Sequence, residues 1–387
     1  MAEPLKTFFS PALVRRLAGD IERVDPPFPS ERFTRQATEG LAELELLDRG
    51  RQIARALADS LPPAYPEAIA VLLRSLGPEH ADDELTGLGM APFYYLPHVT
   101  FVAERGLDHF DLSMRAQYEL TKRFSAESSI RPYIARDPER AFAFLERWTG
   151  DENAHVRRLV SEGTRLRLPW APRVRWLDEN PERILALLER LRDDPTTLVR
   201  RSVANNLNDL GRARPELLIG TAERWLRDAS PERRALVEHA LRGAVKRADR
   251  DALRLLGYSD RAAVEVGGIR FDPERVRIGG RVEIRLALES SSRARQGLLV
   301  DLIVHFVKAG GSSSPKVFKV ARLELGPGER VELAKSVSLA VHTTRRPHPG
   351  EHRVELLVNG EARPLGAFEV LPRPGDGPGA FSRAHWR

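Results

Sequence analysis

DPERAFAFLERWTGDENAHVRRLV (137–160) and NPERILALLERLRDDPTTLVRRSV (180–203) are two versions of one pattern, and that pattern decides the fold. Asp137 and Asn180 stand 43 positions apart, and the same offset relates Arg157 to Arg200 and Arg158 to Arg201. Each copy opens with a capping residue and a proline. Proline's fixed φ suits the first helical turn, and its missing N–H would be unpaired there anyway. Apolar residues then recur at i, i+3, i+4 and i+7, one stripe of a 3.6-residue period. A third copy, RPELLIGTAERWLRDASPERRALVEHAL, starts at Arg214 after a shorter step of 34. Each copy holds two helices that cannot bury their apolar faces alone, so neighbouring copies must stack to form a core.

A period near 40 with two helices per unit is the signature of HEAT-type repeats. Helical periodicity also covers LVRRLAGDIERV (13–24) and AELELLDRGRQIARALADSL (42–61), and it ends near residue 257. After Tyr258 the period changes to two. VEIRLALES (282–290), LLVDLIVHFVK (298–308), KVFKVARLEL (316–325), VELAKSVSLAV (331–341) and HRVELLVNG (352–360) predict strands separated by Gly, Pro and Ser turns. The expected architecture is mainly α: a HEAT-like α-helical solenoid over 1–257, a β-sandwich over 262–372, and a basic Pro/Gly-rich tail over 373–387.

Composition narrows the chemistry. With 387 residues, 42% hydrophobic and 30% charged, the chain can bury a substantial core. It has no cysteine, which excludes disulfides, thiolate-ligated metals and a thiol nucleophile. No window approaches 18 uninterrupted apolar residues, and the first twenty residues have no run of signal-peptide length. A soluble, cytoplasmic protein without membrane association is expected. GxGxxG, GxxxxGK[ST], GxSxG and HExxH are all absent, and the ten histidines lack metal-ligand spacing, so neither cofactor nor metal is expected. Charge is distributed unevenly. Residues 1–100 carry 10 Lys+Arg against 15 Asp+Glu, whereas residues 261–387 carry 21 against 14. That asymmetry suggests a polyanionic partner met mainly by the later part of the chain.

The repeat register sorts side chains into two faces. Val199, Val203, Leu207 and Leu210 form the buried stripe of the second copy, and Arg201, Asn205 and Asp209 share another face at i, i+4 and i+8. The first copy in the same register buries Val156, Leu159 and Val160 and presents Arg158, Glu162 and Arg165. Upstream, Arg123 and Glu127 repeat the basic-then-acidic spacing, and His239 takes the place of Asn205 in the third copy. Arginines and carboxylates are therefore expected together on one exposed wall. Between the first two copies, TRLRLPWAPRVRW (164–176) sets Arg165, Arg167, Arg173 and Arg175 around Trp170 and Trp176 on a proline-broken loop. Arginines interleaved with aromatic rings suit a nucleic-acid backbone.

PLKTFFSPALVRRLAGDI, GLDHFDLSMRAQYELTKRF, AESSIRPY, VRRLVSEGTRLRLPWAP and VRRSVANNLNDLG together resemble the AlkC branch of the HEAT-like DNA alkylation-repair glycosylases, over about residues 4–257. The strand-rich part is similar in size and strand count to the immunoglobulin-like extension of some members. The resemblance implies hydrolysis of the N-glycosidic bond of cationic alkylated bases, N3-methyladenine and N3-methylcytosine, in double-stranded DNA. It implies a monomeric, monofunctional enzyme without a cofactor, working at the nucleoid in a bacterial cytoplasm. The family's catalytic acids fall on Glu127, Glu162 and Asp209, and Arg158 and Trp170 match positions near the lesion and the DNA backbone. With the register, Arg123, Arg165, Arg201 and Asn205 complete the expected DNA-binding set. The competing expectation is a non-catalytic HEAT-repeat scaffold that binds nucleic acid or protein, since fold alone does not specify chemistry.

Overall fold

The structure, a computed structural model, describes residues 5–80, 89–259, 261–341 and 346–373. The chain divides into two compact units, Met1–Ala240 and Leu241–Arg387. The expected tail lies outside the described residues after Arg373.

The first unit is helical. Its early helices are α1 (Pro11–Glu22), α2 (Ser30–Thr38), α3 (Leu46–Ser60), α4 (Tyr65–Arg74), α5 (Leu96–Arg105) and α6 (Phe110–Thr121). Then come α7 (Arg131–Arg136), α8 (Pro138–Trp148), α9 (Ala154–Gly163), α10 (Arg175–Glu179), α11 (Pro181–Leu191), α12 (Thr197–Ala213) and α13 (Pro215–Leu226). Helix α14 (Pro231–Lys246) runs across the division, and α15 (Arg250–Leu255) belongs to the second unit.

The two clear repeats are the pairs α8/α9 and α11/α12. Asp137 caps α8 by accepting from the Arg140 amide, and Asn153 caps α9 by accepting from the His155 amide. Helix α9 packs between α6 and α12, so the second helices of successive units line one layer. The expected stripe of Val156, Leu159, Val160, Val199, Val203, Leu207 and Leu210 is buried throughout.

The 43-residue offset has a structural cause. Arg157 Nη1 donates to the carbonyls of Asp151 and Glu152 (2.8 and 2.9 Å), and Arg200 Nη1 donates to those of Asp194 and Pro195 (2.6 and 2.8 Å). Each arginine therefore closes the corner before its own helix, six and five residues back. Arg157 also reaches the next corner, with Nε and Nη2 on the Asp194 carboxylate at 2.6 and 3.0 Å.

The second unit is a β-sandwich. Its strands are β1 (Val264–Asp272), β2 (Arg275–Arg277), β3 (Arg281–Ser290), β4 (Gln296–Val307), β5 (Ser313–Leu325), β6 (Arg330–Ser338), β7 (Gly350–Val358) and β8 (Glu361–Leu371). One sheet has the order β1-β3-β6 and the other β2-β8-β7-β4-β5. Alternation supplies the core: Val282, Ile284, Leu286 and Leu288 of β3 face Leu298, Val300, Leu302 and Val304 of β4.

Candidate active site

The site is built where the first repeat departs from the second. Gly163 ends α9, whereas α12 continues seven residues past Asn206, the equivalent position. Ending a helix early leaves its last carbonyls without partners. Asn206 Nδ2 donates to the Ser161 carbonyl (2.8 Å) and to Thr164 Oγ1 (3.1 Å). Thr164 Oγ1 donates to the Val160 carbonyl at 2.9 Å. Arg131, only 1% exposed, donates from Nη1 to the carbonyls of Gly163 (3.0 Å) and Arg165 (2.9 Å), and from Nε to that of Pro172 (2.8 Å). Burial draws its guanidinium down to about 10, which leaves it charged at neutral pH. The loop that leaves the solenoid at residue 164 is tied near both its ends.

Arg165 turns inward from this loop. Its Nη1 donates to Glu162 Oε2 and its Nε to Asp209 Oδ2, both at 2.9 Å. The expectation that Glu162 and Asp209 lie on an exposed stripe is therefore corrected: each residue is 4% exposed. Eight residues at 100° per residue carry Asp209 about 80° around α12 from Arg201, toward the packed side. Burial alone would draw the Arg165 guanidinium down, but the two carboxylates outweigh it and hold the group above its ordinary value. Arg165, expected to meet DNA, instead bridges two carboxylates, and the cluster keeps one net negative charge.

Glu127 also departs from expectation. Helix α6 stops at Thr121, so Arg123 and Glu127 do not share a helix face. Arg123 Nε donates to the Gly77 carbonyl (2.6 Å) and its Nη1 to the Glu119 carbonyl (2.8 Å), which makes it a latch on the turn after α6. Glu127 lies in the following loop. Its Oε2 accepts from Arg158 Nη2 (3.0 Å) and from Ser125 Oγ (2.7 Å), and its side chain is 27% exposed. A cleft of about 230 Å³ opens beside it, lined by Phe93, Leu96, Phe124 and Trp170 together with Glu127 and Arg158.

The 164–176 loop sorts its arginines and rings. Trp176 packs on Phe142 with ring centroids 5.0 Å apart, Arg173 pairs with Asp178 (2.8 Å), and Arg175 pairs with Glu179 (2.6 Å). Arg167 and Trp170 face solvent, Trp170 at 66% exposure, and the side chains of Arg173 and Arg175 stay exposed despite their pairs. Trp170 has φ 60°, a left-handed conformation that costs a non-glycine residue about 1–2 kcal/mol. Trp170 is thus a large ring held exposed at the edge of that cleft on a strained backbone position. On α12, Arg201 is exposed, and Asn205 Oδ1 lies 3.1 Å from His239 Nε2 of α14.

The structure thus joins Glu127 with Arg158 and Trp170, and Glu162 with Arg165 and Asp209. Arg123 joins neither group. Sequence reasoning missed Arg131 and the apolar rim of Phe93, Leu96 and Phe124. The only signal for Arg131 was a charge set in the apolar run SSIRPYI.

The arrangement matches known proteins along nearly the whole chain. Residues 124–254 match the family described as DNA alkylation repair enzyme, and residues 265–372 match the C-terminal Ig-like domain described for the uncharacterised protein YhaZ. The chain is 32% identical over 367 residues to the uncharacterized protein YhaZ of Bacillus subtilis (strain 168), covering 95% of this chain and 99% of that one. It is similar in structure to the alkylpurine DNA glycosylase AlkC of Pseudomonas fluorescens, bound there to DNA containing an abasic-site analogue. The TM-score is 0.88 at 33% identity, with 95% of this chain and 100% of that one covered. Helical repeats carrying a carboxylate cleft, followed by an immunoglobulin-like sandwich, place this chain in the AlkC branch of the DNA alkylation-repair enzymes.

Proposed function

We propose that this protein is a monofunctional DNA glycosylase that hydrolyses the N-glycosidic bond of N3-methyladenine and N3-methylcytosine in duplex DNA. Glu127 carries the reading: a partly exposed carboxylate, oriented by Arg158 and Ser125, at a cleft edged by an exposed tryptophan. A base methylated at N3 is a cation and leaves as a neutral molecule, taking the bonding pair with it. Strong general-acid catalysis is therefore unnecessary. Positive charge passes to the deoxyribose as an oxocarbenium-like species, which a fixed carboxylate stabilises. A water oxygen adds to C1′, its proton passes to the carboxylate or to solvent, and an abasic site remains. The Glu162–Arg165–Asp209 cluster, with its net negative charge, favours the same cationic centre at longer range.

In this reading Arg158, Arg167, Arg201 and Trp170 meet the duplex, with Asn205 beside them, and the lesion is exposed by kinking the DNA rather than by drawing the base into a deep pocket. The basic sandwich adds phosphate contacts. The enzyme works as a monomer in the cytoplasm, at the nucleoid. Single-turnover release of methylated base from duplex DNA, with EDTA present, tests the proposal. Glu127→Gln should slow release by on the order of 10²–10³-fold, the usual loss for one preorganised electrostatic group, while duplex affinity stays within about threefold. A wild-type protein that binds methylated duplex yet releases no base would be a scaffold instead.

A further inference from the structure

We propose that Arg131 is a positioning residue for base release, acting through the 163–172 loop; this rests on the glycosylase reading above. Position 174, which stands 43 residues later, is valine, so Arg131 is no part of the repeat. The arginine occurs only where a repeat helix has been cut short. Its three carbonyl partners belong to Gly163, Arg165 and Pro172, so it holds Arg165 itself and brackets Trp170. Through the Arg165 carbonyl it fixes that residue's backbone position and with it the hold on Glu162 and Asp209. Between Arg165 and Pro172, Trp170 is kept at φ 60°.

The packing around the clamp leaves no slack. A Cβ on Gly163 would lie 2.7 Å from Cγ2 of Ile130, the residue before Arg131, so the end of α9 packs directly on the Ile130 side chain at the start of α7. Loop carbonyls are ordinarily solvated, and three of them converging on a single buried guanidinium fix three backbone points at once. Lysine cannot reproduce this. Its ammonium is one point charge and lacks the planar fork that reaches separate acceptors.

The test uses the full chain with Arg131→Lys, and Gly163→Ala as a second variant that disturbs the same junction by a single methyl group. Two readouts are taken well below each variant's melting temperature. One is the single-turnover rate of base release at saturating enzyme. The other is the emission of Trp170, obtained by difference from the Trp170→Phe form of each protein. A misplacement of about 1 Å costs on the order of a hundredfold in rate, so a fall of that size is expected with duplex affinity within about threefold. The Trp170 emission maximum should shift with it. Should the wild type release no base, the glycosylase reading fails on its own, and the emission shift alone still decides whether Arg131 sets the loop. Wild-type rate and wild-type Trp170 emission in Arg131→Lys, or in Gly163→Ala if the lysine variant does not fold, would overturn the proposal.

Discussion

Replacing Arg165 by methionine would leave two buried carboxylates facing each other without their shared cation. The side chains of Glu162 and Asp209 are each 6% exposed, and each bonds Arg165 at 2.9 Å. Removing one partner from a buried ion pair costs about 3–5 kcal/mol, because the remaining charge is desolvated and unpaired. Here two charges are orphaned, so the upper part of that range is expected. Urea unfolding of wild type and Arg165→Met at pH 7.5 measures the loss. The triple variant Arg165→Met/Glu162→Gln/Asp209→Asn removes the orphaned charges and should recover most of the loss. A penalty below about 1 kcal/mol, or one unchanged in the triple variant, would refute the claim that Arg165 neutralises this pair.

Burial holds the His98 imidazole neutral, drawn down to about 4. The unfolded chain titrates near 6.5, so stability should fall as pH drops from about 6.5 toward 4, by up to about 3 kcal/mol; thermal melts of His98→Phe should lack that part of the loss. Arg201→Ala should weaken duplex binding and reduce the slope of log affinity against log salt by about 0.9, the value for one lost phosphate contact. Arg123→Ala should leave that slope unchanged and lower the urea midpoint instead, because its guanidinium ties Gly77 to the turn after α6. At Gly106, an alanine Cβ would collide with the hydroxyls of Tyr65, Ser113 and Tyr133, so Gly106→Ala should cost about 3 kcal/mol of unfolding free energy.

The repeat was legible because its cause is local. Asp-Pro and Asn-Pro starts and the paired arginines stand at a fixed offset in the chain, and the structure uses them the same way twice. Five strands were legible from alternation alone. Strands β1 and β8 were not, because Gly267 and Gly268 interrupt the first and Pro364 and Gly366 the second, and both paired regions shift register there. Glu127 was assigned a helical neighbour in Arg123 on spacing alone. The Ser125 hydroxyl bonds both the Glu127 carboxylate and the Glu127 amide, a local alternative to helix that an i, i+4 count cannot detect. The burial of Glu162 and Asp209 depends on Arg165 folding back across 44 residues of sequence to Asp209. Periodicity contains no such information; it reports which face a residue occupies and not what later covers it.

The arginine at the head of α9 has a wider consequence for how such a chain could be rearranged. Arg157 closes its own corner through the carbonyls of Asp151 and Glu152, which any transplanted helical pair of the same length would supply. Its bidentate grip on Asp194 is different, since that carboxylate belongs to the following corner and also receives the amide and hydroxyl of Thr196. A foreign pair inserted after residue 179 could fill the apolar space and still leave a buried guanidinium without its carboxylate. Stacking here is keyed rather than merely greasy, and the order of these two units is written in one ion pair instead of in the volume of their cores.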